Sequence, residues 1–236
     1  MIGAKEAQLY ARLPVHRRHV EHAHSIIRQT LEVCERPFVS CSFGKDSAAM
    51  LHLVRTYRPD IEARFIRWPE TELLADFDRV IGEWQALGAN VVILDLTRST
   101  LDERAPGRWD ALRNLSPADG QFVGLRADES RARQITLNAQ GHLYRTAAGY
   151  WRSCPLARWN TLDVAAYVTL HKLPTLSTYE RHGFEARTAS RIPRAQSSIR
   201  EQALIRLRED DPAAYQQLRA MYPEIDNQIA PDVGRS

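Results

Sequence analysis

The chain has 236 residues, 44% of them apolar, and a net charge of +3, which suits one cored domain with an appendage and excludes a disordered or strongly polyionic chain. No run of 18 apolar residues occurs, so no membrane-spanning helix is expected, and the opening Met1–Glu6 segment lacks the apolar centre of a signal peptide. Three scattered cysteines, Cys34, Cys41 and Cys154, exclude a Cys-x-x-Cys pair and a four-thiolate cluster carried by this chain alone, and imply the reducing cytoplasm.

The apolar stripe Val20, Ala23, Ile26, Ile27 and Leu31 predicts an amphipathic helix over 15–35, stopped by Pro37. Phe38-Val39-Ser40-Cys41 predicts a buried first strand, and Ala48–Val54 a helix after it. The second strand is Ile61–Ile66. A helix over Leu73–Leu87 follows and is closed by Gly88. Asn90–Leu96 reads as the third strand. A polar loop through Arg104–Gly107 and a short helix near Trp109–Leu115 lead to a fourth strand, Gln121–Leu125. Strands alternating with helices imply a parallel sheet with helices on both faces, where ligands bind at the carboxyl ends of the strands.

Beyond residue 130 the pattern changes. Ile135-Thr136-Leu137 and His142-Leu143-Tyr144, joined by Asn138–Gly141, predict a β-hairpin. A helix is expected over Leu162–His171, stopped by Pro174, then an irregular basic stretch over 175–197. Ser198-Ile199-Arg200-Glu201 is a capping box opening a helix to about Arg208, and Asp211-Pro212 caps another. The expected organisation is an N-terminal helical segment 1–35, an α/β domain 36–180 and a basic helical extension 181–236.

Lysine occurs three times, at Lys5, Lys45 and Lys172, and arginine supplies the remaining cationic side chains. Arg181, Arg187, Arg191, Arg194, Arg200, Arg206 and Arg208 fall in one stretch. They read equally as solvated helix faces or as a surface for a polyanion, in which Arg191 and Arg194 would take part.

The segment Ser42-Phe43-Gly44-Lys45-Asp46-Ser47 lies between the first strand and its helix. A helix start presents unpaired N–H groups and the positive end of a dipole. Gly44 lets backbone approach a phosphate, Lys45 adds a mobile charge, and Ser42 and Ser47 add hydroxyls. Phe43 would be strained at positive φ, so a negative φ is expected there. The Walker pattern is absent, because no glycine stands five residues before Gly44.

A second charged segment, Gly124-Leu125-Arg126-Ala127-Asp128-Glu129-Ser130-Arg131-Ala132-Arg133, begins where the fourth strand leaves the sheet. An arginine here can clamp a phosphate or sulfate with Glu129 orienting it. The other reading is a charged helix start with Glu129 pairing to Arg133.

The hexapeptide resembles the Ser-Gly-Gly-Lys-Asp-Ser signature of PP-loop ATP pyrophosphatases, with Phe43 in place of the first glycine. Gly124-x-Arg126-x-x-Glu129-Ser130-x-x-Arg133 is similar to a second signature of the phosphoadenosine-phosphosulfate (PAPS) reductase family within that group. Trp68-Pro69-Glu70-Thr71, Pro155-Leu156, Trp159, Asp163-Val164, Tyr167, Leu173-Pro174 and Tyr179 resemble further family elements in order. The resemblance spans roughly residues 36 to 183. It implies an adenine nucleotide α-hydrolase-like, Rossmann-like α/β fold with ATP over the sheet edge and its phosphates on Ser42–Ser47 and Gly124. It implies Lys45, Asp46, Arg126 and Arg133 as catalytic groups, with Asp46 placing Mg²⁺ or the loop itself.

Sulfonucleotide reductases of this family carry a catalytic cysteine in a C-terminal Glu-Cys-Gly-Leu-His element. Here the last cysteine is Cys154. A reductase needs a thiolate to attack sulfur. The expected activity is therefore cleavage of ATP to AMP and pyrophosphate, adenylating an acceptor oxygen for sulfur transfer. DNA phosphorothioation ATP pyrophosphatases resemble this setting, with a cysteine desulfurase as persulfide donor and DNA as acceptor. On the sulfur side Glu129, Ser130, Arg191, Arg194 and Cys154 are candidates, Cys154 reading either as a persulfide acceptor between Arg152 and Arg158 or as a small buried residue. The alternatives are a PAPS reductase or sulfate adenylyltransferase-like enzyme, and a silent nucleotide-binding module. A homo-oligomer without a membrane partner is the expected assembly.

Overall fold

The computed structural model describes residues 2–68, 75–95, 112, 114–186 and 198–227. The expected Pro69–Thr71 element, the Arg104–Gly107 loop, most of the Trp109–Leu115 helix and both Arg191 and Arg194 lie outside the described residues.

Two helices, α1 (Ala4–Tyr10) and α2 (Pro14–Val33), precede β1 (Pro37–Ser40), α3 (Lys45–Arg55), β2 (Glu62–Arg67), α4 (Ala75–Ala86) and β3 (Asn90–Asp95). Then come β4 (Gly120–Val123), α5 (Arg131–Gln140), β5 (Leu143–Arg145), β6 (Trp151–Ser153) and α6 (Thr161–His171). The described chain closes with α7 (Thr178–His182), α8 (Ser198–Asp210) and α9 (Pro212–Met221).

The six strands form one sheet in the order β3-β2-β1-β4-β6-β5, parallel throughout except for β5 against β6. Adjacent residues of a strand point to opposite faces. In β1 the consequence is visible in the two cores: Val39 joins the main cluster with Ala23, Leu53 and Phe65, while Phe38 joins Ile66, Trp68 and Leu112. A strand apolar on both sides marks a sheet covered on both faces. The chain runs from β1 outward through β2 to β3, then returns to the other side of β1 for β4. The switch point between β1 and β4 opens a crevice at their carboxyl ends.

Two expectations are corrected. Ile135–Leu137 is not a strand: it lies inside α5, whose start is capped by Ser130 accepting from the Arg133 N–H, and whose end is Gly141 at φ 80°. The hairpin is instead β5–β6, with Gly149 at φ 85° in its turn. The second correction is Phe43, which sits at φ 53°.

Helix α2, within the expected N-terminal segment, contributes Ala23 and Ile27 to the main core. Leu204, Tyr215, Leu218 and Ile225 form a small cluster of their own, and α8 is tied back through Asp210 to His182 at 3.0 Å.

Candidate active site

The hexapeptide leaves β1 and turns into α3, with Gly44 extended at the helix start. Its hydroxyls organise it from within. Ser47 Oγ accepts from the Ser42 N–H at 3.2 Å and donates to the Gly44 carbonyl at 3.0 Å. Phe43 takes the left-handed conformation, which costs a side-chain-bearing residue about 1–2 kcal/mol. Its ring is fully buried against Phe65, 5.4 Å between centroids, and Phe65 stacks on Phe77. Burying a phenylalanine is worth about 1.5–3 kcal/mol, enough to hold the backbone where glycine would sit unaided.

The second charged segment leaves β4 beside the loop. A Cβ on Gly124 would touch the Asp46 carbonyl carbon and the Ser47 nitrogen at 3.5 Å, so the two segments are in van der Waals contact there. Arg126, nearly fully buried, puts Nε 2.5 Å from Asp46 Oδ1 and Nη1 3.4 Å from Asp128. Asp46 Oδ2 lies 3.3 Å from Lys45 Nζ. One carboxylate therefore bridges the loop lysine and the arginine of the second segment. Both its oxygens face cations, which suits a carboxylate that organises the loop. Among the described residues no group of three His, Cys, Asp or Glu side chains is placed to hold a metal.

Arg133 pairs with Glu129 one turn away in the manner of a helix-surface pair, and Ser130 is the helix cap. Glu129 also accepts from the Arg126 N–H at 3.2 Å. The Glu129 carboxylate thus ties the segment together through Arg126 backbone and Arg133 side chain.

Cys154 is fully enclosed, and burial pushes its thiol up to about 12 against a smaller opposite pull from Arg152. That is opposite to the sense a sulfur acceptor needs, and the small-buried-residue reading describes it. Burial likewise raises Cys34 and Cys41 to about 11.

Several contacts at the site join residues far apart in the sequence. Tyr179 Oη accepts from the Lys45 N–H at 3.1 Å, and Lys45 Nζ lies 5.4 Å from the Tyr179 ring and 3.4 Å from the Ala186 carbonyl. The segment after α6 therefore closes over the loop lysine. Asp163, fully buried, accepts from His16 and His19, both at 2.9 Å, and caps α6 with Asn160. Burial pushes the Asp163 carboxyl up, but hydrogen bonds from His16, the Asn160 N–H and His19 overcome it and leave the pKa lowered.

The chain is similar to known proteins over much of its length. The chain is 27% identical over 197 residues to sulfate adenylyltransferase subunit 2 of Mycolicibacterium vanbaalenii, covering 66% of this chain and 62% of the relative. It is 28% identical over 166 residues to a phosphoadenosine 5'-phosphosulfate reductase of Xanthomonas campestris, covering 61% and 66%. The chain is thus similar to proteins of the PP-loop, adenine nucleotide α-hydrolase-like superfamily.

No family model matches the chain. It spans a little under two thirds of the length of those relatives, 62% and 66%. Its fold is shared with Candida glabrata FMN adenylyltransferase, solved with FMN and the ATP analogue AMPCPP, at a TM-score of 0.55 and 16% identity over 75% of this chain and 67% of that one. No described helix is long and apolar enough to cross a membrane.

Proposed function

We propose that this chain binds ATP over the β1/β4 crevice and cleaves it between the α and β phosphates, transferring the adenylyl group to an acceptor oxygen of sulfur metabolism. The bridging of Lys45 and Arg126 by Asp46 carries the reading. It holds two cations at the start of α3, where helix N–H groups and dipole already favour phosphate. A triphosphate entering the loop exchanges the contacts of Lys45 with Asp46 and Ala186 for phosphate oxygens. The acceptor oxygen bonds to the α phosphorus, the bond to the bridging oxygen breaks, and pyrophosphate leaves with that electron pair. Lys45 and Arg126 offset the charge that develops on it.

Sulfate is the acceptor to test first, because one relative is named for its adenylylation. A DNA backbone, with persulfide from a cysteine desulfurase, is a second acceptor, favoured by the arginine-rich sequence 181–208. Sulfonyl reduction by this chain's own cysteines is disfavoured, since all three are buried with raised pKa.

Purified protein given ATP, Mg²⁺ and sulfate should yield pyrophosphate with AMP or an adenylyl product, and Lys45→Ala should abolish it. Release of ADP and phosphate alone, or no turnover with sulfate or DNA plus a persulfide source, sinks the proposal.

A further inference from the structure

Beside the β1/β4 crevice lies a cleft of about 850 Å³ at the carboxyl ends of β4 and β6. Its size is that of a pocket for a nucleotide or sugar phosphate. The start of α5 forms one wall, bringing Ser130 and Arg131, and the loop after β6 forms another, bringing Arg158 and Asn160. Gln134 and Asn138 add neutral donors.

The arginines of this region divide into two sets. Arg126 and Arg133 have carboxylate partners. Arg131 and Arg158, both exposed, have no ion-pair partner among the described residues. The acid in the cleft lining, Asp128, already faces Arg126 at 3.4 Å. The cleft therefore carries surplus positive charge from two separate elements, added to the α5 N-terminus. The field of Arg158 reaches across it: burial first, then Arg158, drives His22 down to about 4 and lowers His142.

His19 also lines the cleft. Its Nδ1 is held 2.9 Å from Asp163, which is fully buried. A ring anchored by one nitrogen to a buried carboxylate presents the other as a fixed polar group. His19 is accordingly an oriented imidazole at the edge of a cationic cleft.

We propose that this cleft is a second anion site, separate from the phosphate loop, that binds a small phosphorylated or sulfated compound. Arg131 and Arg158 hold its oxyanion, and His19 Nε2 hydrogen-bonds a hydroxyl of its body. The proposal stands whether or not the loop cleaves ATP.

The test uses Lys45→Ala protein, in which the loop lysine is removed, titrated calorimetrically with inorganic phosphate and with ribose 5-phosphate. Adding Arg131→Gln and Arg158→Gln, both at exposed positions, should weaken both ligands at least tenfold. Adding His19→Gln instead should weaken ribose 5-phosphate severalfold and leave inorganic phosphate unchanged. Equal phosphate affinity with and without the two arginines, in proteins with matching circular dichroism, overturns the site. Equal ribose 5-phosphate affinity in the His19→Gln protein overturns the role of the imidazole. Arginine-dependent binding of a short single-stranded oligonucleotide, without saturable phosphate binding, overturns the small-molecule assignment.

Discussion

Arg126 Nε lies 2.5 Å from Asp46 Oδ1, joining the segment after β4 to the loop after β1 by a nearly buried ion pair. Removing one partner leaves the other with an uncompensated charge. Asp46 remains partly exposed and keeps Lys45, so Arg126→Ala should cost about 1–3 kcal/mol in urea denaturation. Combining it with Asp46→Ala should cost clearly less than the sum of the two single changes. Strict additivity would show that the pair carries no coupling.

Phe43 makes a second test, because the resemblance favours glycine there and packing does not. Phe43→Gly relieves about 1–2 kcal/mol of backbone strain but loses the buried ring and leaves a cavity, together costing about 3–5 kcal/mol. The variant should be about 2 kcal/mol less stable. A more stable Phe43→Gly protein would refute the view that the Phe65–Phe77 stack holds the turn.

The cysteines should be silent in the native protein. Iodoacetamide at pH 8 should label none of Cys34, Cys41 and Cys154, whose thiols burial raises to about 11, 11 and 12, and should label all three in urea. Native labelling of Cys154, seen by peptide mass, would restore it as a sulfur carrier.

Acid should weaken the fold in a defined window. Burial, aided by neighbouring cations and histidines, holds His22 and His52 near 4, against 6.5 for a free imidazole. The unfolded chain therefore binds protons that the folded chain refuses as pH falls from 6.5 to 4. Stability from these groups is complete above pH 6.5 and is lost toward pH 4. Asp163, with a lowered pKa, adds a further loss at more acid pH. Melting temperature should drop between pH 7 and 4.5, and His22→Gln with His52→Gln should flatten that slope. An unchanged slope would assign the acid sensitivity to other groups.

The parallel core is legible because β1 and β3 are short apolar runs, β2 carries Phe65 and Ile66, and Pro37 and Gly88 punctuate them. Ile135 and Leu137 alternate as in a strand, which is why the sequence suggests a hairpin there. Ile135 is in fact exposed and Leu137 buried on one helix, and Ser130 decided the matter by capping. Local sterics alone argue against a positive φ at Phe43, but the aromatic stack behind it holds the residue there. Tyr179 over Lys45, and His16 and His19 on Asp163, were illegible as contacts since they join residues more than a hundred positions apart.

The contacts between Lys45, Tyr179 and Ala186 make the phosphate loop and the 176–186 stretch thermodynamic partners. Whatever draws the ammonium away from the Ala186 carbonyl must also loosen the seat of that stretch, and by linkage anything that pins the stretch must weaken what the ammonium can bind. Protease cutting downstream of α6 is then a gauge of loop occupancy that requires no turnover at all.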